Sequence, residues 1–117
     1  MKQKPLLPPL RAKKRYLVYE VLSDSDFDAR EISGAITSSM KEMVGNLGLA
    51  DAGLIFFDNK FNSGNKRGFV RVSNKSLDDI RASFVFINDI KGIKTIVRSV
   101  LATGMIHKAE EAISSAS

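Results

Sequence analysis

Gly53-Leu-Ile-Phe-Phe-Asp-Asn-Lys-Phe-Asn-Ser-Gly-Asn-Lys-Arg-Gly-Phe-Val-Arg-Val72 lies at the middle of the 117-residue chain and reads as two strands joined by a wide turn. Gly53–Phe57 is short and almost wholly apolar. Asp58–Asn65 is turn chemistry, because Asn, Asp and Gly tolerate positive φ. Lys66–Val72 alternates basic or small residues with aromatic and β-branched ones, as a strand with two different faces does. Two such runs form an antiparallel hairpin with a generous loop.

What flanks the hairpin decides the architecture. Upstream, Arg15–Leu22 alternates aromatic and β-branched side chains and reads as a first strand. Ser23-Asp-Ser-Asp-Phe-Asp28 breaks the pattern and supplies capping oxygens. Ala29, Ile32, Ile36, Met40, Met43 and Leu47 then recur at steps of three or four, predicting a helix of about five turns that Gly48 ends. Downstream, Ser76-Leu-Asp-Asp79 approximates a capping box. Leu77, Ile80, Phe84 and Ile87 form a second stripe ending near Gly92. Lys94–Leu101 reads as another strand, and Thr103-Gly104 starts a short last helix carrying Ile106, Ala109 and Ile113, with Ser114–Ser117 frayed. The order βαββαβ plus a C-terminal helix predicts an α+β, ferredoxin-like (RRM-like) sandwich. In it two helices bury their stripes on one face of a four-stranded antiparallel sheet. RNA-recognition domains and many metabolite-binding modules share that arrangement.

Strand alternation sorts the side chains onto two faces. Gly68, Val70 and Val72 suit the face under the helices, which turns Arg67, Phe69 and Arg71 to the other side. Tyr16, Val18 and Glu20 oppose Leu17, Tyr19 and Val21 in the same way. On the last strand one register sets Lys94, Ile96, Arg98 and Val100 beside Arg67 and Arg71, opposite Thr95, Val97, Ser99 and Leu101. Arg67-Gly-Phe69 echoes the start of an RNA-recognition signature, but Arg71 and Val72 stand where that signature has further aromatics. Phe69 is therefore expected beneath the last helix, and backbone recognition by Arg and Lys is the better reading.

Charge is distributed unevenly. Lys2, Lys4, Arg11, Lys13, Lys14 and Arg15 are six of the eighteen basic residues, and the remaining chain carries twelve basic against thirteen acidic ones. The excess of +5 thus sits in a proline-containing segment, residues 1–14, ahead of a single domain over residues 15–117. Such a segment suits a polyanion. Its apolar part, Leu6, Leu7 and Leu10, is broken by Pro8 and Pro9 and reads as no signal peptide. No apolar run approaches the ~20 residues of a membrane span. With no cysteine, neither a disulfide framework nor a thiolate metal site can form, in keeping with a cytoplasmic protein.

The residues do not suggest a protein ribonuclease. General acid–base cleavage ordinarily needs two groups such as paired histidines, and His107 is the sole histidine. Asp24, Asp26 and Asp28 at alternate positions invite a calcium reading. An EF-hand begun at Asp24 would need Gly and Glu where Ala29 and Ala35 stand, so the carboxylates suit the helix N-terminus instead. Gly64 and Gly68 flank Lys66 and Arg67 without P-loop spacing.

Leu7-Pro-Pro-Leu-Arg11 with Lys14-Arg-Tyr16, Asp51-Ala-Gly-Leu54, Gly68–Ser73, Ile80-Arg-Ala-Ser-Phe84, Ile87–Gly92 and Thr103-Gly-Met-Ile106 together resemble the archaeal ribonuclease P protein component 2 family, in the right order over nearly the whole chain. That family often reads Ser-Gly-Thr-Ile at the last motif; Met105 removes a hydroxyl there but leaves the turn. The resemblance implies a subunit of the endoribonuclease that removes 5′ leaders from precursor tRNA. It implies that the RNA subunit performs hydrolysis with bound magnesium, and that this chain itself binds no cofactor. The partners it implies are the ribonuclease P RNA, a TIM-barrel-like protein subunit and other ribonuclease P proteins, with self-association within the complex.

The RNA contacts expected on this reading are Arg11, Lys13, Lys14, Arg15, Lys66, Arg67, Arg71, Arg98 and Lys108. Phe61 in its polar loop and Phe86 off the helical stripe are candidates for a protein interface, as are Met40 and Met43, which the stripe makes core or interface residues. One rival is a ferredoxin-like regulatory or protein-assembly module, which predicts no salt-dependent RNA affinity. A second is a ribosomal or general RNA chaperone, which fold and charge permit but the matched segments do not favour.

Overall fold

A computed structural model describes residues 13–114, so most of the basic amino-terminal segment, including Arg11, and the last three residues lie outside the described residues. The elements run β1 (Lys14–Ser23), α1 (Ala29–Ala52), β2 (Ile55–Phe56), β3 (Arg67–Ser73), α2 (Leu77–Val85), β4 (Asp89–Ile90), β5 (Ile93–Thr103) and α3 (Ile106–Ser114). The strands form one antiparallel sheet in the order β2-β3-β1-β5-β4. The four strands expected from the sequence are all present, and the two-residue β4 is the addition. It pairs only with the start of β5, across a turn in which Gly92 takes φ 78°. The second stripe accordingly ends as helix at Val85, short of Gly92.

Strand alternation holds along β1 and β3. Leu17, Tyr19, Val21, Val70 and Val72 join Ile32, Ile36, Met40, Ile80 and Phe84 in the main core, beneath α1 and α2. Burying such side chains is the main driving term of the fold, about 1.5–3 kcal/mol for each large one. Val18 and Phe69 face the other way and pack with Ala109 and Ile113 of α3. The sheet is thus covered on both sides, fully by two helices and partly by one.

Three local expectations change. Helix α1 does not stop at Gly48: it kinks at Gly45 (φ 77°, ψ 179°), a conformation in which only glycine is at ease, and resumes to a left-handed cap at Gly53. The kink rotates the stripe, so Leu47 is 88% exposed while Leu49 packs on the core. Ser76 makes no side-chain cap; a 3-10 turn over Asn74–Ser76 leads into α2 instead. At the other cap the sequence reads correctly, because Asp28 accepts from the Glu31 N–H at 2.8 Å and the Glu31 carboxylate accepts from the Asp28 N–H at 3.0 Å.

On β5 the register shifts opposite Val18 and Tyr19, which pair with Leu101 and Ser99 and leave Val100 as the extra residue. Thr95 and Val97 therefore face the main core as expected. Leu101, placed on that side from simple alternation, instead shares the face of Val18. Gly68 serves a close approach of two rings to the strand. A Cβ there would lie 2.8 Å from both the Tyr19 hydroxyl and a Phe61 ring carbon.

Candidate nucleic-acid interface

The face of the sheet turned away from α1 and α2 carries four of the nine basic candidates, Lys14, Arg67, Arg71 and Arg98. On it β1 presents Lys14, Tyr16, Val18 and Glu20, and β3 presents Ser73, Arg71, Phe69 and Arg67 opposite them, pair by pair. Its centre is apolar. Phe57 and Phe69 approach to 4.8 Å between ring centroids, and Tyr16 meets them at 6.1 and 5.9 Å. Phe69 is fully buried under α3, as its strand position implied, so its ring offers no surface for base stacking.

One end of this face is electrostatically closed. Glu20 receives Arg98 Nε at 2.6 Å and Arg67 Nε at 3.3 Å. The side chains of Glu20 and Arg67 are only 14% and 13% exposed, whereas Arg98 is 56% exposed. Burial alone would raise the Glu20 carboxyl, but the hydrogen bonds and charges of Arg98 and Arg67 outweigh it and hold the carboxyl below its ordinary range. Arg67 also donates to the Ala112 carbonyl at 2.8 Å, and Asn65 donates to the Ile113 carbonyl at 2.8 Å. The hairpin loop thereby caps the C-terminal end of α3, where carbonyls otherwise lack partners and a cation is favoured. Lys66, held at φ 57°, donates to the Ser23 carbonyl at 2.9 Å and lies 3.4 Å from Asp26.

The other end is open. Arg71 is half-buried, and no hydrogen bond, ion pair or ring contact engages its side chain among the described residues. Lys13 and Lys14 stand exposed at the start of β1, while Arg15, paired with Val72, turns to the opposite face and among the described residues donates only to the Lys14 carbonyl. Lys108 is exposed on α3. The nine basic candidates therefore divide. Lys66, Arg67 and Arg98 are engaged within the protein, Lys13, Lys14, Arg15, Arg71 and Lys108 have no carboxylate partner among the described residues, and Arg11 lies outside them.

Among the interface candidates, Phe86 is 65% exposed at the end of α2, next to exposed Val85. Phe61 is corrected: it is half-buried against the main core, where Tyr19 and Gly68 receive its ring. Of the two alternatives for the methionines Met40 takes the core, being fully buried, while Met43 is partly buried against the same core. His107 stands exposed in the first turn of α3. Asp24, Asp26 and Asp28 do not converge, since Asp28 caps α1 and Asp26 faces Lys66. The turn before α3 survives the Met105 departure, its N–H donating to Thr103 Oγ1 at 3.1 Å. The residue that sequence reading passed over is Glu20. The signal was there, a lone acid on the face that Arg67 and Arg98 were already expected to share.

Residues 15–114 match the sequence profile of the Rpp14/Pop5 family. Ribonuclease P protein component 2 of Thermococcus kodakarensis is 33% identical over 92% of this chain and 90% of its own length. The protein of the same name from Pyrococcus abyssi is 31% identical, covering 95% and 92%. That from Methanosarcina mazei is 29% identical, covering 92% and 90%.

Proposed function

The chain belongs to the Rpp14/Pop5 family, and on that premise we propose that it is a protein subunit of ribonuclease P, part of the ribonucleoprotein that removes 5′ leaders from precursor tRNA. The observation that carries this reading is the family match across the whole described domain, joined by relatives of that printed name over nearly their full length. A regulatory ferredoxin-like module would share the fold but not that likeness.

Hydrolysis belongs to the RNA subunit and its bound magnesium; this chain binds the RNA and holds its catalytic fold. Lys13, Lys14, Arg15, Arg71 and Lys108 meet phosphates, because among the described residues no acid neutralises them, and Arg11 joins them on its place in the basic amino-terminal segment. Arg67 is given a structural part instead, tying α3 to the sheet. A TIM-barrel-like protein subunit is the companion, and the exposed Val85-Phe86 pair is the apolar surface offered to it. The complex works in the cytoplasm; among the described residues no helix is long and apolar enough to cross a membrane.

The test is single-turnover cleavage of a precursor tRNA by the cognate ribonuclease P RNA at low magnesium, with the companion subunit and with or without this chain. Faster cleavage at the correct 5′ site only in its presence is the expected result. No effect, with RNA and both proteins folded, would sink the assignment.

A further inference from the structure

Two atoms, one on Arg71 and one on Ser73, are the exception among the buried side-chain polar atoms of the described residues. Arg71 Nε and Ser73 Oγ are both buried and both lack a hydrogen-bond partner. They occupy alternate positions of β3 and so face the same side, opposite Tyr16 and Lys14 of β1 in register. Native structures leave few buried polar groups unpaired, and a cluster of two calls for a partner that the described residues do not supply. Arg71 sharpens the point. Its flanking cross-strand neighbours are Tyr16 and Ile55, an aromatic and an aliphatic residue, so among the described residues a partly dehydrated guanidinium sits without an acid. Arg67, on the same face and the same strand, has Glu20.

We propose that Arg71, with Ser73 and Lys14, forms a subsite for a single RNA backbone phosphate. This rests on the RNA-binding reading above and names the residue at its centre. A guanidinium offers a fixed fork of donors that matches two phosphate oxygens, and partial burial strengthens such a bond relative to one in open water. Lys14 supplies a second positive charge one residue pair away. The half-buried ring of Tyr16 gives the attached nucleotide a surface to lie against, which favours a phosphodiester in a chain over a free anion.

The experiment measures binding of the full chain to a transcript of its cognate ribonuclease P RNA across a salt series. Arg71→Gln should weaken binding about tenfold and lower the salt slope by about 0.7–0.9, the loss of one phosphate contact. Arg71→Lys should restore the slope but only part of the affinity, because it keeps the charge and loses the fork. Without RNA, Arg71→Gln should keep or raise the thermal midpoint, since it removes a charge that no acid among the described residues compensates. Wild-type affinity and slope in Arg71→Gln would overturn the subsite while leaving the RNA reading intact. A midpoint lowered by more than about 5 °C would also overturn it, by showing that Arg71 holds the fold. Failure of the wild-type chain itself to bind the RNA would instead remove the broader reading.

Discussion

At the Glu20 end of the outer face two arginines share one carboxylate, and at the Arg71 end one arginine has none among the described residues. Both ends lie on the same two strands, β1 and β3, four residues apart along each. The aromatic cluster of Tyr16, Phe57 and Phe69 separates them. The difference is one acidic residue, and its effect is to divide basic residues of one sheet into two kinds. Those near Glu20 fasten α3 and the hairpin loop to the sheet. Those beyond the cluster keep their charge available to a partner. Counting cations on a face would treat them as equivalent, whereas their partners distinguish them.

The strongest way to disturb this comparison is to remove what lies between the ends. Phe69→Ala should cost about 3–5 kcal/mol, the range for emptying a buried aromatic site, because Val18, Ala109 and Ile113 lose the ring they pack on. Denaturant unfolding measures it, and a loss below about 1 kcal/mol would mean that α3 is not seated by this second core. Next in size, Glu20→Ala should cost about 2–3 kcal/mol by leaving Arg67 buried without its acid. A loss confined to a few tenths would show that the closed end is no more organised than the open one.

Acid provides the smallest and most selective probe. The folded carboxyl of Glu20 lies below its ordinary value of 4.5. Its contribution is therefore complete above about pH 5 and is lost as pH falls through the lowered value. Glu31, held low by its bond to Lys91 and by the Asp28 N–H, acts in the same sense. Unfolding free energies between about pH 5 and pH 2 should fall less steeply in Glu20→Ala than in the wild type. An unchanged slope would mean that the two arginines do not hold the carboxylate ionised.

The sequence carried more of this than its modest motifs suggest, and its failures have physical causes. The faces of β1 and β3 followed from alternation, because side-chain direction in an unbroken strand has period two. The same rule failed at Leu101, because a bulge at Val100 inserts one residue and reverses every later side chain. The stripe of α1 held through Met40 and was lost at Leu47, because Gly45 breaks the helix that the stripe assumes. Phe61 looked exposed from the polarity of its neighbours, yet a loop can fold its one apolar ring inward when Gly68 leaves room.

By itself the sequence determined the element order, the two-helix face, the burial of Phe69 and the membership of a ribonuclease P family, since periodicity and residue order are local properties. Only the tertiary structure decided which arginines are engaged. Glu20 and Arg98 are 78 residues apart in the chain and 2.6 Å apart at the hydrogen bond. Electrostatic partnership depends on distance in space, and strand pairing alone brings such residues together.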